Sequence, residues 1–224
     1  MNRVLFIQGN PKGPGHSTAL QLGHHFLRAY QEAQPGAEVS VLDLYAGDVP
    51  LIDADVLTGW GKLAATQALS AQERRKVERL SALVDQFLAA DVIVFAAPMW
   101  NFGYPPMVKA YMDAVAVAGR TFQYTAQGPV GLAHGKRAVI LESRGSIWTD
   151  AARQGMVHST THLRLFLNFL GVTEVNVVVA EGMDLNPAAR ADILDAAKKR
   201  AAQLALGLAA PPVPAAGPDR HARP

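Results

Sequence analysis

Apolar and polar positions follow two different periods along the chain. Short, nearly continuous apolar runs that end at glycine, proline or polar residues predict buried parallel strands. Such runs occupy residues 4–7, 39–44, 91–97, 138–141 and 175–180. Between them, apolar residues recur every three or four positions, which predicts amphipathic helices. These helices are predicted at residues 18–32, 70–88, 105–118, 158–170 and 187–208.

The alternation of strands and helices predicts the architecture. Five β–α units joined by right-handed crossovers form an α/β fold, a doubly wound parallel sheet with helices on both faces. For five strands the common order is 2-1-3-4-5. We therefore expect one domain over residues 1–208 and a flexible Pro/Ala-rich tail over residues 209–224. The least regular segment, residues 45–69, is too long for a simple connection, and such loops are often functional.

The composition excludes several classes of protein. Half of the 224 residues are apolar, 18% are charged and the formal net charge is +2, as in an ordinary globular protein. Cysteine is absent, which excludes disulfides, thiolate metal sites and cysteine nucleophiles and favours a cytoplasmic location. No metal site is predicted. The basic clusters 74–76 and 198–200 lie in helical patterns and are interpreted as solvated faces, so no nucleic-acid partner is expected. No apolar run approaches the roughly 20 residues of a membrane helix, so no membrane partner is expected either.

The predicted strand order decides where a ligand binds. Ligands of doubly wound sheets bind outside the carboxyl ends of the strands, where the order reverses. In the order 2-1-3-4-5, strands 1, 3 and 4 are neighbours. Function is therefore expected in the loops that follow them, at residues 8–18, 98–104 and 142–150.

The first loop has the chemistry of an anion site. It is rich in glycine and proline and leads directly into a helix, whose first N–H groups and dipole attract negative charge. Ser17 and Thr18 add hydroxyl donors, which suits a single phosphate group. The loop lacks the Gly-Lys-Ser/Thr ending of a triphosphate loop and the third glycine of a dinucleotide loop. The alternative is a proline-constrained turn in which Ser17 is only a helix cap.

The second and third loops suit a flat heteroaromatic ring. Trp100 and Phe102 offer apolar walls, and the Asn101 amide can both donate and accept hydrogen bonds, like the pyrimidine edge of a flavin. The alternative is that both aromatic side chains pack in the core. The third loop, residues 143–146, has small residues that permit close backbone approach, and its N–H groups could stabilise negative charge on a reduced ring.

At these residues the chain resembles the FMN-dependent NADH-azoreductase family, within the flavodoxin-like NAD(P)H:quinone reductases. The similarity runs from about Val4 to Gly182. The residues that carry it most strongly are Ala97-Pro98-Met99-Trp100-Asn101-Phe102, Thr121-Phe122-Gln123-Tyr124-Thr125 with Gly128-Pro129, and Ser143-Arg144-Gly145.

The resemblance implies a flavodoxin-like fold, bound FMN, NADH or NADPH as electron donor and a homodimer with sites at the subunit interface. It assigns the phosphate and ribityl chain to Asn10, His16, Ser17 and Thr18, and the flavin ring to Met99, Trp100, Asn101 and Phe102. It assigns the far edge of the ring to Ser143, Arg144, Gly145 and Ser146, and planar acceptors are expected against Phe122, Tyr124 and Trp148. The family often has serine where Asn10 stands and a second glycine where Ser146 stands.

The expected activity is two-electron transfer from NAD(P)H to quinones and azo compounds in ping-pong order. Because the flavin carries the hydride, no side chain is nominated as catalytic. One alternative is a nicotinamide-only dehydrogenase in which Asp43 binds a ribose, but the chain lacks the glycine fingerprint of that class. A hydrolase is disfavoured because the chain lacks the Gly-x-Ser-x-Gly elbow of that class. His158 and His162 are interpreted as structural or exposed. A flavodoxin-like electron carrier or flavin-containing regulator without a small-molecule substrate is the main alternative.

Overall fold

The computed structural model describes residues 2–210 of the chain. Strands and helices alternate as the apolar pattern predicts, with one additional hairpin and one additional helix. The strands are β1 (Arg3–Gln8), β2 (Glu38–Asp43), β3 (Val92–Pro98), β4 (Phe122–Thr125), β5 (Gly128–Gly131), β6 (Arg137–Ser143) and β7 (Glu174–Ala180). The helices are α1 (Thr18–Ala33), α2 (Ala54–Ala64), α3 (Ala71–Ala89), α4 (Pro106–Val115), α5 (Ser159–Phe169) and α6 (Arg190–Ala209).

The main sheet has five parallel strands in the order β2-β1-β3-β6-β7. The strands β4 and β5 form a separate antiparallel hairpin. Once the hairpin strands are left out of the numbering, this order is the predicted 2-1-3-4-5. The carboxyl ends of β1, β3 and β6 therefore lie side by side.

Alternate residues of the central strands enter two different apolar clusters. Leu5 and Ile7 of β1 pack in a cluster with residues of α3, α4 and α5. Val4 and Phe6 pack in a second cluster with residues of α1 and α6. This two-residue alternation follows from the strand geometry, in which neighbouring side chains point to opposite faces.

The segment 45–69 differs from the prediction because it contains α2. Asp53 caps this helix by accepting a hydrogen bond from the Val56 N–H at 3.1 Å. Two glycines, which weaken helices, obscured its periodicity in the sequence. Gly59 has a packing reason: a β-carbon there would lie 3.0 Å from Val77 Cγ2 of α3, so the glycine lets the two helices approach closely.

Other helix ends show how local hydrogen bonds set boundaries. The predicted capping box of α3 is present, with Ser70 and Glu73 each bonding the other's backbone N–H. Helix α4 ends at Val115 rather than near residue 118, because the buried Thr121 hydroxyl donates to the Val115 carbonyl at 2.7 Å.

At the C-terminal end, Asn186 forms the expected cap, but a short 3-10 turn at Pro187–Ala189 precedes α6. Helix α6 reaches Ala209, and the remaining residues of the predicted tail, 211–224, lie outside the described residues. No helix within residues 2–210 has the length and hydrophobicity needed to cross a membrane.

Candidate functional site

A cavity of about 250 Å³ lies at the carboxyl ends of β1, β3 and β6. All three loops singled out from the sequence contribute to it. Its predicted lining residues are Asn10, His16, Ser17, Thr18, Met99, Trp100, Ser143, Arg144 and Gly145. The parallel order of the sheet thus gathers residues that are more than 130 positions apart in the chain.

The first loop is held open by side-chain hydrogen bonds. Asn10 Nδ2 donates to Ser17 Oγ at 2.9 Å, and Asn10 Oδ1 accepts the Lys12 N–H at 3.0 Å. Ser17 Oγ also accepts the Leu20 N–H at 3.3 Å, so Ser17 is indeed the cap of α1. Because both of these bonds are accepted by Oγ, the Ser17 hydroxyl proton is available to a ligand.

The backbone of this loop lies close to the sheet. Gly9 donates its N–H to the Ala96 carbonyl at 2.9 Å, and a β-carbon on Gly9 would lie 2.6 Å from Val108 Cγ2. His16 lies at the exposed rim, and its N–H is used inside the loop by the Gly13 carbonyl at 3.0 Å. A contact of His16 with a ligand would therefore come from its side chain rather than from its N–H.

The second loop is a tight turn with unusual backbone angles. The Trp100 N–H bonds the Gly103 carbonyl at 2.9 Å, and the Gly103 N–H bonds the Trp100 carbonyl at 3.0 Å. The two central residues have positive φ, 48° at Asn101 and 69° at Phe102. Asparagine tolerates this left-handed region, but phenylalanine rarely adopts it, and such strain concentrates at functional sites.

The turn presents its aromatic side chains outward. Trp100 and Phe102 are 40% and 38% exposed, so the alternative in which both pack in the core is wrong. Trp100 lines the cavity, while Asn101 and Phe102 stand beside it. The Phe102 ring meets the Trp148 ring edge-on, with their centroids 5.3 Å apart.

The predicted acceptor residues separate into two places. Trp148 stays with Phe102, in the turn whose first residue, Trp100, lines the cavity. Phe122 and Tyr124 lie on the hairpin, outside the cavity lining. Phe122 is buried against Phe169, with centroids 4.6 Å apart, whereas Tyr124 is 76% exposed. In a single chain the structure does not bring the hairpin residues to the cavity.

In the third loop, the side chain of Arg144 turns inward. Its Nε lies 2.5 Å from Glu142 Oε1 and its Nη1 lies 3.3 Å from Glu181 Oε2. Its N–H donates to the Ala180 carbonyl at 2.8 Å. Arg144 therefore borders the cavity while its charge is neutralised behind it. Within residues 2–210 the N–H groups of Gly145 and Ser146 have no acceptor, so these backbone groups remain for a ligand.

Sequence reasoning missed several residues of this site. Lys12, Pro98, Met183, Asp184 and Arg190 also line the cavity. Arg190 Nη1 lies 3.1 Å from Asp184 Oδ1, and a β-carbon on Gly145 would lie 2.5 Å from Asp184 Oδ2. The signal was the strand order: β7 neighbours β6, so the loop after β7 reaches the same edge. Only the loops after the three central strands were considered.

The carboxylate of Asp43 is engaged in a turn. Its Oδ1 accepts the N–H groups of Tyr45 at 2.8 Å and Ala46 at 3.2 Å. That use leaves the nicotinamide-only dehydrogenase without the ribose contact expected of it.

Some other cavities on the molecule are larger but lie elsewhere. One of about 310 Å³ lies at the amino ends of β1 and β2, and an open one of about 660 Å³ lies between α1 and β2. Neither lies at the carboxyl ends of the strands. We therefore take the cavity between the three loops as the functional one, since ligands of parallel sheets bind at that edge.

Fold and site together define the class of protein: an α/β protein of flavodoxin-like topology, with its candidate site at the carboxyl edge of a five-stranded parallel sheet. The model of a protein family described as having a flavodoxin-like fold matches residues 2–205.

The relatives narrow this class. An FMN-dependent NADH:quinone oxidoreductase of Bacillus cereus (strain ATCC 10987 / NRS 248) is 41% identical over 208 residues, which cover 92% of this chain and 99% of the relative. A protein of the same name from Staphylococcus haemolyticus (strain JCSC1435) is 40% identical over 205 residues, with the same coverage.

A solved structure agrees with the sequence relatives. The FMN-dependent NADH-azoreductase of Bacillus anthracis str. Ames Ancestor, in complex with FMN, superposes with a TM-score of 0.88 at 33% identity. The match covers 94% of this chain and all of that one. The chain therefore belongs to the flavodoxin-like family of FMN-dependent NADH:quinone oxidoreductases and NADH-azoreductases. The resemblance stated from the sequence is confirmed.

Proposed function

We propose that the protein is an FMN-dependent oxidoreductase that transfers two electrons from NADH to quinones and azo compounds. The names of its relatives support this donor and these acceptors. The observation that carries the proposal is the meeting, at one sheet edge, of an anion-binding helix start and an outward-facing aromatic turn. An electron carrier would need the cofactor site but no room for a donor and an acceptor.

The residues present fit the two halves of FMN. The Ser17 hydroxyl, Asn10, the Lys12 ammonium and the N-terminus of α1 would hold the phosphate. Met99, Trp100 and the turn that follows them would bear on the ring. The N–H groups of Gly145 and Ser146 would face the edge of the ring, where negative charge grows on reduction.

The chain itself would bind the cofactor, orient it and leave it exposed to the donor and the acceptor. When bound, FMN supplies the two-electron chemistry that passes reducing equivalents from the nicotinamide to the acceptor. Phe102 and Trp148, which meet edge-on next to the turn that lines the cavity, would form an aromatic wall against which flat molecules stack. We propose that donor and acceptor use this wall in turn, which gives ping-pong kinetics. NADPH in place of NADH stays a prediction.

The finer structural predictions belong to the same proposal. We infer a doubly wound domain over residues 1–208, because two apolar clusters cover opposite faces of the sheet. We infer a homodimer in which the hairpin of one subunit approaches the site of the other. The exposed apolar side chains of Tyr124, Val130 and Leu165 support this interface. A cytoplasmic location stays a prediction.

Steady-state kinetics of the FMN-loaded protein test the activity. Initial rates of NADH oxidation would be measured at several concentrations of NADH and of a benzoquinone, with free FMN as the control. The proposal expects turnover far above the control and parallel double-reciprocal lines. Bound flavin that NADH does not reduce would instead favour the electron carrier.

A further inference from the structure

A buried charged network lies directly behind the third loop. Glu142 and Arg144 have side chains that are 0% and 2% exposed, and their closest atoms are 2.5 Å apart. Removing two charges from water costs several kcal/mol per ion, so a buried pair contributes little or no stability over apolar residues. A role other than stabilisation should therefore be sought for it.

The position of Glu142 is unexpected for its strand. Alternate residues of β6 on the same face, Ala138 and Ile140, belong to an apolar cluster. At Glu142 this apolar face gives way to a carboxylate. Its Oε1 accepts the Ser159 hydroxyl of α5 at 3.0 Å as well as Arg144. The carboxylate therefore joins the end of β6 to the start of α5.

The same carboxylate reaches toward the second loop. The Tyr104 hydroxyl and Glu142 Oε2 are both buried, and neither has a hydrogen-bond partner within residues 2–210. Burial raises the pKa of Tyr104 well above its usual value, and the facing Glu142 charge raises it further. Tyr104 directly follows the strained turn, so Glu142 lies between the two loops that would bear on the ring.

Arg144 connects Glu142 to the rest of the site. Its Nη1 meets Glu181 Oε2, which in turn accepts the Trp148 N–H at 3.3 Å. With its side chain held inward and its N–H bonded to Ala180, Arg144 fixes the backbone from which Gly145 and Ser146 extend.

We propose that Glu142 is a positioning residue for the flavin site: it holds Arg144 inward, so that the N–H groups of Gly145 and Ser146 face the cavity. Glu142 itself lies outside the cavity lining. The inference rests on the proposed function, because the ligand it serves is the flavin.

The test compares two isosteric variants of buried, ion-paired glutamates. Glu142→Gln removes the charge behind the site, and the fold should survive because Glu181 still pairs with Arg144. Glu73→Gln removes the charge of a carboxylate that is 9% exposed and pairs with Lys62 at 2.7 Å, away from the cavity. Thermal unfolding of the apoproteins and the FMN dissociation constant, from fluorescence quenching, are measured for both.

We expect Glu142→Gln to raise the FMN dissociation constant roughly ten- to a hundredfold, as changes behind a ligand shell commonly do. The reduction potential of the bound flavin should also change, because the N–H groups that stabilise the reduced ring move. Glu73→Gln should change thermal stability alone. A Glu142→Gln variant with wild-type affinity and potential would overturn the inference, whatever its thermal stability.

A milder variant keeps the test decisive if Glu142→Gln does not fold. Ser159→Ala removes one hydrogen bond to Glu142 and should raise the dissociation constant about threefold, at the lower end of the range for the loss of one hydrogen bond. An unchanged constant would count against the inference. If the wild-type protein itself retains no FMN, the proposed function fails and the positioning role fails with it; if only the variants are unaffected, the positioning role alone fails.

Discussion

The two ends of the same parallel sheet use their polar groups in opposite ways. At the amino end, Lys136 Nζ donates to the carbonyls of Leu88 at 2.5 Å and Ala90 at 2.7 Å. Nearby, Arg137 Nη1 donates to the Leu208 carbonyl at 2.6 Å. These cations bind the ends of neighbouring helices, and partial burial lowers the pKa of Lys136. The charges here serve the fold.

At the carboxyl end several polar groups remain available. Within residues 2–210, the Lys12 ammonium has no ion-pair or hydrogen-bond partner, and the N–H groups of Gly145 and Ser146 have no acceptor. A turn with two positive φ angles adds strain that the fold does not need. Unused hydrogen-bond donors and backbone strain, rather than cavity size, therefore mark the functional end of this sheet.

The variant with the largest predicted change in stability tests how closely the first loop must approach the sheet. Gly9→Ala should lower the free energy of unfolding by about 1–3 kcal/mol, because the new methyl group overpacks against the buried Val108. Gly15→Ala, in the same loop with no atom within 4 Å of its β-carbon, is the control and should change it by less than about 0.5 kcal/mol. Urea denaturation of both apoproteins measures this difference, and equal effects would contradict the packing.

Two serine caps separate folding from ligand binding. Ser17→Ala and Ser70→Ala each remove the cap of a helix and should each lower the free energy of unfolding by about 1 kcal/mol. Only Ser17→Ala should also weaken FMN binding, because only Ser17 borders the cavity. Denaturation and FMN titration of both variants check this. Weaker binding in both would make the effect one of general stability.

The strained turn should trade stability against function. Phe102→Gly relieves a left-handed phenylalanine, worth about 1–2 kcal/mol, and loses a ring contact worth about 0.5–1.5 kcal/mol. The free energy of unfolding should therefore change by less than about 1.5 kcal/mol, while quinone turnover falls clearly.

The matched control for this turn is Gly119→Ala. Gly119 also has positive φ, at 80°, in open space. The alanine should destabilise by about 1 kcal/mol with turnover unchanged. A Phe102→Gly variant with full turnover would show that the turn is not part of the site.

The smallest effect concerns the free charge of the first loop. Lys12→Gln should raise the FMN dissociation constant about two- to fivefold, because a partly exposed charge pair contributes only modestly to binding. The increase should be smaller at high salt, which screens the charges. Riboflavin, which lacks the phosphate, should bind both forms equally. Lys109→Gln, at an exposed ion pair with Asp113, is the control. An equal loss of riboflavin affinity would place Lys12 away from the phosphate.

The sheet could be predicted because its signals are local. Five apolar runs separated by helical patterns permit few topologies, and the observed order agrees with the expected one. The helix α2 was missed because Gly59 and Gly61 interrupt its pattern, although Gly59 serves the packing on α3. The hairpin β4–β5 was missed because its strands of four residues carry too little alternation to stand out.

The site could be located from the sequence but not completed. Strand order predicted three of its loops, whereas Asp184 comes from the loop after β7 and Arg190 from the start of α6. The inward turn of Arg144 could not be foreseen, since one of its two carboxylate partners, Glu181, lies 37 residues away in the chain. The positive φ of Phe102 could not be foreseen either, because its residue type argues against that conformation.

The central claim is that FMN binds at the carboxyl end of the sheet, and an equilibrium titration tests it most directly. Apoprotein would be titrated with FMN while flavin fluorescence and the visible absorption bands are followed, for the wild type and for Ser17→Ala. We expect saturation at one FMN per chain, with weaker binding in the variant under conditions where both proteins are fully folded. Absence of saturable binding, or equal affinity in the two proteins, would contradict it.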